Sequence, residues 1–188
     1  MNFLPEPQGQ GALRPADSIE KLGLRLGRLS LSWVPSGEGI AAGVLESLGV
    51  NLDKVRHEVI RVGRNSGDLQ ADISDSASIR RLFEQTGRFD ALVCAAGNVV
   101  FAPLDELDEQ GFALGLNDKL MGQVNLLLIG REFINDGGSF TFTTGVTSHD
   151  PIRTGTSASL VNGAIDAFVR AAAIELPRGL RVNAISPT

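Results

Sequence analysis

The residues of this chain that could do chemistry are few. The stretch VPSGEGIAAG carries Gly37 and Gly39, which could let backbone amides approach a phosphate. Arg64, in HEVIRVGRNSG, offers a permanent cation. Thr144 in FTFTTG offers a hydroxyl, His149 in VTSHDPIR an imidazole that titrates near neutral pH, and Lys119 in GLNDKLMGQVNL an amine. The chain has no tyrosine and one cysteine, Cys94. His149 is the first candidate for a general acid, although a solvated loop histidine beside Asp150 fits it as well. Lys119 ranks below it, because two positions along a helix turn its side chain away from the face that Asn117 uses.

To act together these groups need a scaffold, and the patterning supplies one. Short β-type runs at 29–34, 58–62, 91–95, 140–143 and 180–185 alternate with helical patterns at 39–48, 76–85, 115–130 and 157–176. Strands separated by helices of this length imply crossovers and a parallel sheet, so the predicted fold is α/β, a doubly wound, Rossmann-like single domain. Asp75-Ser76 predicts a helix N-cap, with Ile79, Leu82 and Phe83 forming the docking face. Residues 1–28, rich in Pro, Gly and Gln at the start, read as a flexible leader with a short helix from Asp17, leaving 29–188 as the domain.

In such a fold Gly37, Gly39 and Ile40 stand between the first strand and the first helix, where a pyrophosphate would meet the helix N-terminus. A plain tight turn explains the same glycines. Arg64 follows the second strand where a carboxylate would bind a ribose 2′-hydroxyl, so a 2′-phosphate, and NADP(H) over NAD(H), is favoured. A solvated surface arginine is the alternative.

From about residue 29 onward the chain resembles the short-chain dehydrogenase/reductase superfamily. FDALVCAAG is similar to that family's strand ending in Asn-Asn-Ala-Gly, with Ala96 and Gly97 retained and Cys94 and Ala95 at the asparagine positions. Asp72-Ile73 matches the acidic residue that contacts the adenine. Asn117 falls where the family keeps a helix asparagine holding a water, and RVNAISPT, with Pro187, resembles the loop beside the nicotinamide. The resemblance implies a dinucleotide cofactor, a small-molecule carbonyl or hydroxyl substrate and a homo-oligomer. It also exposes departures. The family's first and third loop glycines align with Pro35 and Ala41, which removes an amide donor and adds a methyl. At the Tyr-x-x-x-Lys pair the alignment sets Thr156 and Leu160, so the acid/base pair is missing, while Thr144 takes the serine position. The chain ends at Thr188, where family members continue, so the sheet is expected to lack its last strand.

A net charge of -5, with no basic run, argues against nucleic acid. No apolar segment reaches membrane-spanning length, no metal-ligand cluster is evident, and the lone Cys94 suits a reducing cytoplasm. The reading is therefore an NAD(P)-dependent oxidoreductase with weak or altered chemistry. The alternative is a catalytically inactive dinucleotide-binding or oligomerising regulatory protein.

Overall fold

In the computed structural model of the protein, the described residues are 30–33 and 59–187. The leader, the glycine stretch with Gly37, Gly39 and Ile40, and the predicted helix at 39–48 lie outside them. The elements run β1 Ser30–Trp33, β2 Val59–Gly63, β3 Leu69–Gln70, α1 Ser76–Thr86, β4 Phe89–Cys94, α2 Glu109–Gly115, α3 Met121–Gly130, β5 Ile134–Thr143, α4 Thr156–Glu175 and β6 Arg181–Ile185. A π-helical turn, Leu116–Leu120, joins α2 to α3.

All strand pairs are parallel, in the order β3-β2-β1-β4-β5-β6. This is the doubly wound arrangement that the alternating pattern predicts, with six strands in place of the five expected. The added one, β3, pairs only Leu69 and Gln70 with Val62 and Gly63. Two residues following a glycine and an aspartate carry no readable period, which is why patterning passes over them. β5 also starts earlier than predicted. Its first residues, Ile134–Gly138, look like a turn in sequence, and its register against β4 shifts between Phe89 and Ala91.

The core is aromatic on one flank of the sheet. Ile79, Leu82 and Phe83 of α1 are buried as their spacing predicts, and Asp75 caps the helix by accepting from the Ala77 amide at 2.9 Å. Phe83 stacks on Phe89 at 5.3 Å and on Phe133 at 5.5 Å, while Phe140 meets Phe89 edge-on at 6.2 Å. Gly130 lets α3 approach this cluster, since a Cβ there would lie 3.0 Å from Phe140 and 3.1 Å from Phe83. Beside α3 on the same face of the sheet, α4 buries Ala158, Val161, Asn162, Ile165 and Val169 at helical spacing.

The predicted single helix at 115–130 is corrected by the structure. Helical residues begin at Glu109, with Asp108 as N-cap, and the path is interrupted by the π turn before α3 resumes at Met121. One added residue per turn is invisible to hydrophobic periodicity.

Phe83 has no solvent exposure, so Phe83→Ala removes a ring from a closed cluster. A loss of about 3–5 kcal/mol in unfolding free energy is expected by urea denaturation, with the α/β circular dichroism signature retained at low denaturant.

Candidate functional site

Because the strands are parallel, the residues that follow β2, β4, β5 and β6 emerge along one edge of the sheet. They are Arg64, Ala95 to Asn98, Thr144, and Ser186 with Pro187. Chain order reverses between β1 and β4, and a crevice for ligand opens at such a reversal, outside the carboxyl ends of the strands.

Gln123 ties this edge together. It is wholly buried in α3, and its Nε2 donates to the carbonyls of Thr143 at 3.2 Å and Ala96 at 3.4 Å, joining the ends of β5 and β4. Thr144 is buried beside it. Its amide donates to the Ile185 carbonyl at 2.8 Å and its hydroxyl donates to the same oxygen at 3.3 Å. The Pro187 carbonyl accepts from the Val146 amide at 3.3 Å, which ties the loop after β6 to the loop after β5. Thr144 and Pro187 thus lie at one edge as expected, with the Thr144 hydroxyl engaged by backbone.

The π turn sends three consecutive residues to three environments. Asn117 is exposed and lines a cleft with Arg64, Asp72 and Ser74. Asp118 is buried, accepting from Asn98 Nδ2 at 2.6 Å and from Arg64 at 3.4 Å. Lys119 turns inward, its Nζ 2.7 Å from Asn162 Oδ1 and 3.4 Å from the Thr144 carbonyl. This corrects two expectations. Asn117 and Lys119 do face opposite ways, but the inward residue is Lys119, and Asn117 is not brought to Thr144.

Gly97 explains how the lysine fits. At φ +130 it occupies backbone space that favours glycine, and a Cβ there would lie 2.5–2.7 Å from Lys119 Cγ, Cβ and Cα. Burial pushes the Lys119 amine below its ordinary range, because desolvation disfavours the charged form. Among the described residues no carboxylate ion-pairs with it. Behind it, burial pushes the Cys94 thiol up to about 12, which removes it as a nucleophile.

The predicted register on α4 is also corrected. Thr156 opens the helix exposed, and Leu160 is 48% exposed, so neither faces the strand ends. The buried pair at the same four-residue spacing is Ala158 and Asn162. Asn162 Nδ2 donates to Thr147 Oγ1 at 3.0 Å while its carbonyl accepts from Lys119. His149 is 72% exposed, with Nε2 3.6 Å from Asp166 Oδ2, and it hydrogen-bonds none of Thr144, Lys119 or Asn162. The imidazole is held at Asp166, one helical turn along α4 from Asn162. Asp166 also accepts from Ser148 Oγ at 2.9 Å, so the loop after β5 is pinned to the helix there.

At the other end of the edge, Arg64 stands between Asp72 at 3.0 Å and Asp118 at 3.4 Å. Burial opposes ionisation of Asp72, but bonds from the Ser74 amide and hydroxyl and from Arg64 outweigh it and hold the carboxyl below its ordinary value. Ile73 does not line this cleft. Its side chain is buried in the core against Gly122, where a Cβ would lie 2.9 Å away. Ala96 is likewise buried. The cleft holds about 410 Å³ and is floored by Arg64, Asp72, Asn117 and Asp118, with Ala113 and Leu114 on its apolar wall.

These features fit the adenosine half of a dinucleotide. Ala113 and Leu114 offer apolar contact, and the Asp72 carboxylate can accept from amino and hydroxyl groups. Among the described residues no group of His, Cys, Asp and Glu could hold a metal ion. No helix among them is long and apolar enough to cross a membrane.

Sheet order and strand-end crevice define a dinucleotide-binding α/β fold. A family model described as enoyl-(acyl carrier protein) reductase matches residues 41–188. The Listeria innocua protein lin1944 is 43% identical, with a TM-score of 0.75 over 85% of this chain and 77% of that one. A small-chain dehydrogenase solved in complex with NADPH is 29% identical, with a TM-score of 0.71 over 84% of this chain and 69% of that one. A short-chain dehydrogenase/reductase of Pestalotiopsis microspora is 30% identical over 174 residues, which is 81% of this chain and 65% of that protein. The chain belongs to the short-chain dehydrogenase/reductase superfamily. It spans 56–65% of the length of the first curated relatives it matches.

Sequence reasoning missed Gln123, Asn162 and Asp118. The first two are buried polar residues in apolar helix faces, and that mismatch is the signal that could have found them. Asp118 gave no such signal, because it stands in the polar run Asn117-Asp118-Lys119.

Two outcomes follow from this geometry. Gly97→Ala forces a methyl into Lys119, so a stability loss of about 1–3 kcal/mol is expected by thermal unfolding, with the Lys119 side chain displaced in a crystal structure. Asp72 is stabilising above its ordinary value of 3.8 and loses that contribution as pH falls through its lowered folded value. Asp72→Ala is therefore expected to cost about 1 kcal/mol at pH 7, discounted for its exposure, and progressively less below pH 3.8. Urea midpoints measured against pH check this.

Proposed function

We propose that this protein binds NADP(H) and interconverts a carbonyl and a hydroxyl on a small molecule, with slower or altered chemistry than its relatives. The observation that carries the reading is the single edge formed by the strand ends, which has Asp72 and Arg64 at its adenosine end and Gly97, Lys119 and Thr144 at its reacting end. A bound nicotinamide dinucleotide supplies or accepts the hydride. The chain's own residues orient it: Asp72 and Asp118 accept from the adenosine, and Arg64 faces the ribose. Gly37, Gly39 and Ile40 belong to the pyrophosphate in this reading.

NADP(H) is favoured over NAD(H) by Arg64, which keeps 41% side-chain exposure at the mouth of the cleft. The preference is modest, because two carboxylates already share that guanidinium and a phosphate must compete with them. The NADPH complex of a relative at 29% identity supports the same choice.

A catalytically inactive binding or regulatory protein is the second reading. The absence of tyrosine favours it, as does the Thr144 hydroxyl spent on the Ile185 carbonyl. In both readings the protein acts in the cytoplasm without a membrane or nucleic acid, as a homo-oligomer packed through α3 and α4. Leu128 and Ile174, exposed on those helices, supply apolar surface for that contact.

Titration of NADPH and NADH against protein, followed by nicotinamide fluorescence, is expected to show NADPH bound more tightly by about 3–10-fold, with Arg64→Ala erasing the difference. Oxidation of NADPH across a panel of aldehydes, ketones and quinones then separates the two readings. Binding without turnover selects the regulator, and failure of both dinucleotides to bind removes the proposal.

A further inference from the structure

We propose that Lys119 is the proton donor of this site: set at the ends of β4 and β5 by the π turn, its Nζ hydrogen-bonds the oxygen of a substrate carbonyl, with Asn162 as the residue that positions it. The inference rests on the reading that a nicotinamide dinucleotide occupies the crevice, and it assigns the role that the missing tyrosine leaves open.

Among the described residues, the Thr144 hydroxyl donates to the Ile185 carbonyl. His149 is exposed, is held by Asp166 and hydrogen-bonds none of Thr144, Lys119 or Asn162. Cys94 is a fully buried thiol, and Asp118 is occupied by Asn98 and Arg64. Lys119 remains, with protons to give and two acceptors that orient it without neutralising it. An ammonium has three donors. Asn162 Oδ1 and the Thr144 carbonyl take two of them, which leaves the third for a substrate oxygen.

The placement is built rather than incidental. Lys119 lies on the π turn Leu116–Leu120, one helical turn before the buried Gly122 and Gln123 of α3, so its side chain shares their inward face. Gly97 supplies the space, since its missing side chain is filled by the Lys119 stem. Asn162 is held by Thr147 on one side, so its carbonyl stays turned toward Lys119.

The step balances. In the direction of reduction the carbonyl carbon receives a hydride from a dihydronicotinamide, the C=O π pair moves onto oxygen, and that oxygen takes a proton from the Lys119 ammonium. A hydroxyl, a neutral amine and an oxidised nicotinamide result. The substrate is reduced, and the amine regains its proton from solvent. A general acid of lowered affinity for its proton suits this step better than an ordinary surface lysine. The titratable groups around Lys119 are Cys94 from β4 and Asp166 from α4, while β5 presents only the Thr144 carbonyl and Asp118 of the π turn points the other way, to Asn98 and Arg64.

The test uses the whole chain labelled with 13C at lysine, in which Lys21 and Lys54 serve as internal references. In the free protein the Lys119 13Cε resonance is expected to titrate at lower pH than the other two. A Lys119 titration at or above theirs overturns the proposal whether or not a dinucleotide binds. With NADPH and a reducible ketone or aldehyde, the alkaline limb of kcat/KM is expected to follow the Lys119 midpoint. Lys119→Gln is expected to keep NADPH binding within about threefold and to lower turnover by on the order of 100-fold. Retained turnover in that variant overturns the proposal, whereas loss of NADPH binding by the unaltered protein overturns the reading beneath it. Asn162→Asp sets a carboxylate where the amide oxygen stood, so the Lys119 titration and the alkaline limb are both expected to move to higher pH. A purely structural Asn162 leaves both in place, and that outcome also counts against the assignment.

Discussion

A half-buried amine at the ends of two parallel strands is the constraint around which this molecule is arranged. Desolvation of an ammonium costs free energy unless polar groups replace the lost water, and here the replacements are a side-chain amide from α4 and a backbone carbonyl from the end of β5. Neither carries charge, so the amine is oriented without being quenched. Gly97 gives up its side chain to make room, and Gln123 closes the backbone beneath by bonding the carbonyls of Ala96 and Thr143. Removing any one of these contacts loosens the others, because the same two strand ends carry all of them.

The rest of the fold holds that edge still. The stacked rings of Phe83, Phe89 and Phe133 fix α1 against β4, and α3 approaches closely at Gly122 and Gly130. The sheet then delivers Arg64, Gly97, Thr144 and Pro187 to one side, since parallel strands end together. At the far end of this edge, the triad of Arg64, Asp72 and Asp118 keeps a cleft polar on its floor and apolar on its wall. The cleft and Lys119 thus occupy opposite ends of one edge, and the π turn links them: Asp118 lines the first and Lys119 stands at the second.

Much of the architecture was legible in the sequence. The spacing of Ile79, Leu82 and Phe83, the capping Asp75, and the alternation of strands with helices led to a parallel doubly wound sheet because each depends on local periodicity. The family resemblance was equally legible, since CAAG, Asp72 and the C-terminal RVNAISPT stand in order. The site was less so. The resemblance sets Asn117 at the family's site position, whereas the folded chain leaves Asn117 exposed and carries Lys119 on the face shared with Gly122 and Gln123. The resemblance sets Thr156 and Leu160 at the Tyr and Lys positions, whereas the inward face of α4 is two residues further on, at Ala158 and Asn162. Burial decides that register, and burial is a property of the folded sheet. The side-chain partner of His149 is Asp166 rather than its sequence neighbour Asp150, a long-range pairing that no local reading supplies.

The most direct measurement of the account is a crystal structure of the full chain grown with NADPH. The account predicts the adenine in the cleft beside Asp72, the ribose facing Arg64, and the nicotinamide ring over Gly97 with Lys119 Nζ open toward its reacting face. A dinucleotide bound away from the strand ends, or a nicotinamide ring separated from Lys119 by the body of α4, would contradict it.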